Sequence, residues 1–354
     1  MADIQCSFCV RHDTVDMITT FKRTSYLIGL GGLLLFVLLI AYQGIGAVSD
    51  ALLTAGWGLI WITLFHLVPL VIDAYGWQCL LFREHRKGVA ALSWMRWISE
   101  AANNLLPVAQ IGGHVLRARL LNRAGVPAAI GGASVVVDVT AGVVSQIVFA
   151  MTGVLLFLNY QLPANTIWYL LAGVASFALL IYAFYFTQRR GLFFRLAHGF
   201  ERVLGNRDTG TLSNNAEELD RVIGEIYDTR WTFWIACTVR LLGWVAGAGE
   251  VWLALYFIQQ PVTPGEALML ECLGQAVRSA AFAVPGALGV QEGGYLLFSV
   301  SIGIAPEIGL ALSLIKRVRE LLLGLPGLLV WQILEGRNFL QRQRGLTPNA
   351  DSDE

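Results

Sequence analysis

Glu100, Asp138, Arg278 and Arg317 lie inside long apolar stretches. An ionisable side chain costs so much at membrane depth that it is retained for pairing, ion passage or ligand handling. The four answer one another across the chain. Glu100 precedes Pro107 by seven residues and Arg278 precedes Pro285 by seven; Asp138 is matched by Arg317, and Asp73 approximately by Glu250. A guanidinium fork donates two parallel hydrogen bonds to a phosphate. Arg278, Lys316, Arg317 and Arg319 are therefore expected to attract an anionic headgroup near the outer side, with Glu100 and Asp138 on the same polar path. The alternative is a set of structural ion pairs between helices, since buried charges are paired whatever the function.

The most polar stretch at membrane depth is Asn103-Asn104-Leu105-Leu106-Pro107-Val108-Ala109-Gln110-Ile111-Gly112-Gly113-His114. Pro107 removes a backbone donor and the glycines permit unusual angles. Asn103, Asn104 and Gln110 can satisfy the backbone groups so freed. The second half has Pro285-Gly286-Ala287-Leu288-Gly289-Val290-Gln291-Glu292-Gly293-Gly294. No Gly-x-Ser-x-Gly, P-loop or His-Glu-x-x-His is present, and the five histidines lie far apart. His66 is expected to be packed or hydrogen-bonded rather than a metal ligand, and Cys6-x-x-Cys9 a terminal thiol pair. No catalytic residue, metal or cofactor is expected.

These residues need helices to hold them. Of 354 residues, 56% are hydrophobic and 14% charged, against about 25% charged in an average soluble protein; the mean hydropathy is +0.60. The net charge is zero, so no basic field for nucleic acid exists. Runs near the ~20 residues needed to cross a bilayer fall at 25–42, 57–82, 126–158, 165–187, 231–258 and 306–334. Regions 94–122 and 265–304 are broken by Pro107 and Pro285. The run after Lys22 and Arg23 lacks a small-residue cleavage site and is expected to be an anchor, with Met17 an alternative start.

Loop charge sets the orientation. Lys22 and Arg23, the 83–96 segment, Arg117, Arg119 and Arg123, the 188–230 segment and the tail with Arg337, Arg342 and Arg344 are basic and expected inside; loops 43–56, 159–164 and 259–265 carry no Lys or Arg. Region 94–122 then begins and ends inside, as a hairpin too short to cross. Region 265–304 begins and ends outside and either re-enters or crosses twice. The fold expected is an all-α polytopic membrane protein, with about six full transmembrane helices plus two broken or re-entrant hairpins in an inverted repeat. Its parts are a cytoplasmic segment 1–24, one membrane domain 25–335 (repeat units 57–158 and 231–334) and a cytoplasmic tail 336–354. In segment 188–230, Leu192, Leu196, Phe200, Val203 and Leu204 share a helical face ringed by arginines, as in an interfacial helix. Leu219, Val222, Ile223, Ile226 and Tyr227 form a second stripe, which belongs to the membrane surface or to an ordinary amphipathic helix.

Asn104-Leu-Leu-Pro107, Gly112-Gly113 and Arg117, with Pro285-Gly286, Gly289 and Glu292, resemble the membrane region of the lysylphosphatidylglycerol synthase family. The longer run from Asn103 to Gly113, Arg117-Ala118-Arg119 and Ser134-Val-Val-Val-Asp138 looks closest to its hopanoid-biosynthesis-associated branch. His114 stands where many members carry an acid, and a basic residue common near Asp138 is missing. The soluble aminoacyl-transferase domain of the full synthases is not expected here. The resemblance implies flippase-like movement of a lipid in a bacterial inner membrane. Its partner would be a hopanoid, an anionic phospholipid or a lipid-linked headgroup. The alternatives are a scaffold for hopanoid-pathway enzymes, acting through 188–230, and a membrane-embedded transferase using Glu100 or Glu292 as base.

Overall fold

A computed structural model describes residues 53–106, 112–158, 168, 172, 175, 179, 182–183, 185–192, 210–281, 284 and 287–345, with the backbone alone at 210–215 and 335–345. Pro107, Gln110 and Pro285, the 25–42 span, most of the 165–187 span and residues 193–209 lie outside the described residues. The described residues contain no strand. Their helices are α1 (Gly58–Phe65), α2 (Leu67–Cys79), α3 (Val89–Leu105), α4 (Gly112–Arg123), α5 (Ala128–Phe157), α6 (Gly210–Asp228), α7 (Arg230–Phe257), α8 (Pro264–Ala280), α9 (Val290–Ser301) and α10 (Pro306–Gly345).

The expected 57–82 span is observed as Gly58–Cys79, with a local irregularity at His66. Pro69 lacks an N–H, so the Phe65 carbonyl loses its partner one turn on; His66, between α1 and α2, keeps helical angles (φ −59°, ψ −21°), so the break is a local one within a continuous span. The limbs of the first hairpin are 17 residues in α3 and 12 in α4, the first longer than its expected start at 94 gives. The second hairpin has the same lengths, 17 in α8 and 12 in α9. Thr263 starts α8 with a reciprocal cap: its hydroxyl accepts the Glu266 N–H, and the Glu266 carboxylate accepts the Thr263 N–H. The last helix runs to Gly345, past the expected limit of 334.

The halves are built alike. The interrupted helix α1–α2 corresponds to α7, α3 to α8, α4 to α9 and α5 to α10. Their contacts correspond too: α2 packs on α3 as α7 does on α8, and α3 on α10 as α8 does on α5. Gly58 lies against Phe257, Phe65 against Gly249, and Gly76 against Val239, so α1–α2 and α7 run antiparallel throughout. Equivalent helices that run antiparallel are what a repeat of opposed orientation requires.

Small residues set the close approaches. A Cβ on Gly324 would lie 2.6 Å from Leu105 Cδ1, and one on Gly327 2.8 Å from Ala101 Cβ. Overpacking such a seam costs about 1–3 kcal/mol. Gly324→Leu is therefore expected to lower the melting temperature in detergent by several degrees. Gly224→Ala, where a Cβ meets nothing within 4 Å, leaves it unchanged or slightly raised.

Polarity is distributed as in a membrane protein. The outward face carries Trp57, Trp61, Leu64, Val68, Trp231, Trp234, Leu242 and Tyr256, whereas Arg117, Asp138, Glu250, Glu271, Glu292 and Lys316 are buried. Helices α1–α2, α5 and α7 are each long and apolar enough to cross a bilayer. The aromatics gather near both ends of α7, in the manner of interfacial belts. The α6 stripe does not lie on a membrane surface: Val222, Ile223, Ile226 and Tyr227 are buried against Val137, Ala141, Phe233 and Ala236 of α5 and α7. An amphipathic period reports one buried face without naming what buries it.

Candidate functional site

Helix phase assembles the site. On α3, Arg96, Ser99, Glu100, Asn103 and Asn104 recur every three or four residues and share a face. On α7, Arg240, Gly243, Trp244, Gly247 and Glu250 do the same. Glu271, Gln275 and Arg278 of α8, Lys316, Arg319 and Glu320 of α10, His66 and Asp73 beside the break, and His114 and Arg117 of α4 complete the wall of one cavity of about 240 Å³. Both halves contribute to it.

Two charge networks line this cavity. In the first, Asp138 Oδ2 accepts from Arg117 Nη1 at 2.7 Å and Arg96 Nη1 at 3.2 Å. Arg96 Nη2 reaches Asp73 Oδ2 at 3.2 Å, and Arg240 also pairs with Asp73. Arg117 stacks over Trp77, 4.5 Å from the ring centroid. The second network joins His66, Glu100, Glu250, Arg319, Glu320, Arg278, Arg317 and Glu292. His66 Nδ1 donates to Glu250 Oε2 at 2.8 Å, and Arg319 Nη1 reaches the same oxygen at 3.1 Å. Arg317 Nε donates to Glu292 Oε1 at 2.8 Å and its Nη1 to Glu320 Oε2 at 3.0 Å. Arg278 spans the halves, donating to Asn104 Oδ1 of α3 at 2.9 Å, Gln291 Oε1 of α9 at 2.8 Å, and Glu320 of α10.

The repeat inverts charge at matched positions. Arg96 and Glu271 are each the eighth residue of α3 and α8; Arg117 and Tyr295 are each the sixth of α4 and α9; Asp138 and Lys316 are each the eleventh of α5 and α10. Arg96 and Arg117 converge on Asp138. Lys316 and the Tyr295 hydroxyl converge on Glu271, at 2.5 and 3.0 Å. This corrects two pairings expected from proline spacing. Asp138 is matched by Lys316 rather than Arg317, and Arg278 by Asn103 rather than Glu100, whose counterpart is Gln275. Asn103 and Arg278 make equivalent contacts: Asn103 Oδ1 accepts the Gly113 N–H at 2.8 Å, and Arg278 donates to Gln291, each partner being second in its helix. The connection between α8 and α9 is longer than that between α3 and α4, which displaces the prolines relative to the first limbs.

Of the residues expected at the site, Glu100, Asn103, Asn104, Arg117, Arg278 and Arg319 line the cavity. Asp138, Glu292 and Arg317 stand behind the wall, paired to residues that form it or to one another. His66 is hydrogen-bonded, as expected. Arg96, Arg240, Glu271 and Glu320 were not anticipated. Arg96 ends the basic 83–96 segment in the sequence, although it continues the α3 face by helical spacing. Arg240 sits mid-span, and its spacing to Gly243, Gly247 and Glu250 carried the signal. Among the described residues no group of His, Cys, Asp and Glu has the arrangement of a metal site.

The family model of the lysylphosphatidylglycerol synthase transmembrane region matches residues 27–327. The chain belongs to that family. It is therefore a multi-pass membrane protein of lipid handling, and the cavity lies within the matched region. No curated protein and no solved structure matches the chain.

Proposed function

We propose that the protein carries a lipid headgroup between leaflets through this cavity while the apolar body of the lipid stays in hydrocarbon. One observation carries the proposal: a polar chamber within a membrane domain, walled by both halves, whose first network sets three guanidiniums (Arg96, Arg117, Arg240) against two carboxylates (Asp73, Asp138). The excess positive charge favours an anionic group such as a phosphate.

The short limbs support re-entrant hairpins. Helices of 17 and 12 residues reach about 26 and 18 Å, short of the ~30 Å core. The antiparallel relation of the halves supports entry of the two hairpins from opposite faces. With basic loops inside, both termini are cytoplasmic, in a bacterial inner membrane. The substrate class is a hopanoid, a lipid of its pathway or an anionic phospholipid, and no covalent step is involved. The scaffold alternative is weakened because the apolar stripe at 219–227 is packed within the protein.

The test is the full chain in liposomes, with a headgroup-labelled phosphatidylglycerol or a labelled hopanoid and a membrane-impermeant reductant. Transport predicts that signal loss runs past the outer-leaflet pool, and the faster lipid identifies the class. Loss that stops at the outer-leaflet pool for both lipids overturns the reading.

A further inference from the structure

The second network is unbalanced in the opposite sense. Its ion pairs, two of them through His66, connect Glu100, Glu250, Glu292 and Glu320 with Arg278, Arg317 and Arg319. Four carboxylates face three guanidiniums, one negative charge in excess while His66 is neutral. A proton on His66 removes that excess. A net buried charge is costly; the excess guanidinium of the first network offsets this one in the empty chamber, so a proton on His66 leaves the chamber one positive charge that an anionic headgroup balances.

The position of His66 suits exchange. It sits at the α1–α2 break between a carboxylate open to the cavity and one sealed in the core. The side chain of Glu100 is 39% exposed, that of His66 18% and that of Glu250 3%. Nε2 faces Glu100 Oε2 at 3.5 Å, and Nδ1 faces Glu250 Oε2 at 2.8 Å. Arg319 Nη1 lies 3.1 Å from Nε2 and also touches Nδ1. Every charged group near His66 has a partner: Asp73 of α2 holds Arg96 and Arg240, Asp138 of α5 holds Arg96 and Arg117, and on α10 Lys316 holds Glu271 while Glu320 holds the arginines.

We propose that His66 is a proton-binding site coupling lipid movement to a proton gradient. The inference rests on the lipid-carrying reading and names its coupling ion. A proton from cavity water passes by Glu100 to Nε2, forming an N–H bond there. An imidazolium has no lone pair for Arg319, so Arg319 must leave the ring, and Glu250 passes from a shared to a mainly imidazolium partner. Arg319 belongs to α10 of the second half and His66 to the first, so protonation changes the contact between halves. The site gains a positive charge as the first network, with its excess guanidinium, takes an anionic headgroup. The loaded chamber thus keeps the neutrality of the empty one.

The experiment imposes a pH difference across liposomes containing the full chain and labelled phosphatidylglycerol. Coupling at one proton per lipid predicts a leaflet imbalance of up to about tenfold per pH unit in the wild type. In His66→Gln, whatever movement remains is indifferent to the gradient. Wild-type movement without a response to the gradient, or a response that survives His66→Gln, overturns the coupling and leaves lipid carrying intact. If the wild type moves no lipid, the lipid reading fails. The proton site is then decided by NMR of histidine-labelled protein in nanodiscs, with the His66 signal identified by its loss in His66→Gln. The expected result is a ring that takes up a proton between about pH 5 and 8, the range where histidine charge changes, with its hold on that proton weakened in Glu250→Gln. A ring that does not titrate there, or titrates identically in Glu250→Gln, overturns the site.

Discussion

Asp138→Ala is expected to destabilise the protein strongly. Asp138 is 1% exposed and is the one carboxylate paired with Arg117 among the described residues, at 2.7 Å. Arg117 is itself 1% exposed and held over Trp77. Removing one member of a buried pair leaves the other charge without compensation, at a cost of about 3–5 kcal/mol. That is a large share of the ~5–15 kcal/mol by which a domain is stable. Arg96 is spared because it keeps Asp73. The double variant Arg117→Met/Asp138→Leu, which removes both charges, is expected to be milder than Asp138→Ala alone. Size-exclusion profiles and thermal unfolding in detergent read both. An Asp138→Ala protein that elutes and melts like the wild type would place the Arg117 charge in contact with water and sink the account of a buried network.

The helices were legible because their cause is local. Ala128–Phe157 and Arg230–Phe257 fall within two residues of the apolar runs that predicted them. The site was legible only in part. Glu100, Asn103, Asn104, Arg117, Arg278 and Arg319 stood out as polar residues in apolar or proline-rich surroundings. Arg96 did not, because a basic residue near a loop satisfies the orientation rule and draws no further attention. The pairing of halves slipped where connections differ in length. Spacing from proline to proline cannot distinguish a shifted helix from a longer loop, whereas the contacts of Asn103 with Gly113 and of Arg278 with Gln291 can. The α6 stripe shows another limit of periodicity. Its apolar face was correct, and its burial under α5 and α7 depends on the tertiary fold.

The charge inversion between halves has a consequence for the chamber. Identical halves would place like charges at Arg96 and its counterpart. Glu271 instead carries the opposite sign, and Lys316 opposes the sign of Asp138. The inversion lets two equivalent helix sets meet without summing like charge at the centre. The remaining imbalance is divided, positive at the Arg96 network and negative at the His66 network, which separates an anion-binding region from a cation-binding one.

Arg278 bridges the two halves, and its replacement carries the largest functional prediction. Its guanidinium holds Asn104 of α3, Gln291 of α9 and Glu320 of α10 together. Arg278→Gln is expected to fold, because Glu320 keeps Arg317 at 3.0 Å and Arg319 at 3.6 Å and is not left alone in the core. Lipid movement in liposomes should nonetheless fall about 10- to 100-fold, since a hydrogen bond to a charged group contributes about 1.5–3 kcal/mol. Arg278→Lys restores the charge without the planar fork that reaches three partners at once, so its rate should lie between the two. Unchanged movement in Arg278→Gln, with a normal elution profile, would exclude the bridge from the transport path and leave it a structural clasp between halves. A loss of folding in Arg278→Gln would reject the premise that Arg317 and Arg319 suffice for Glu320.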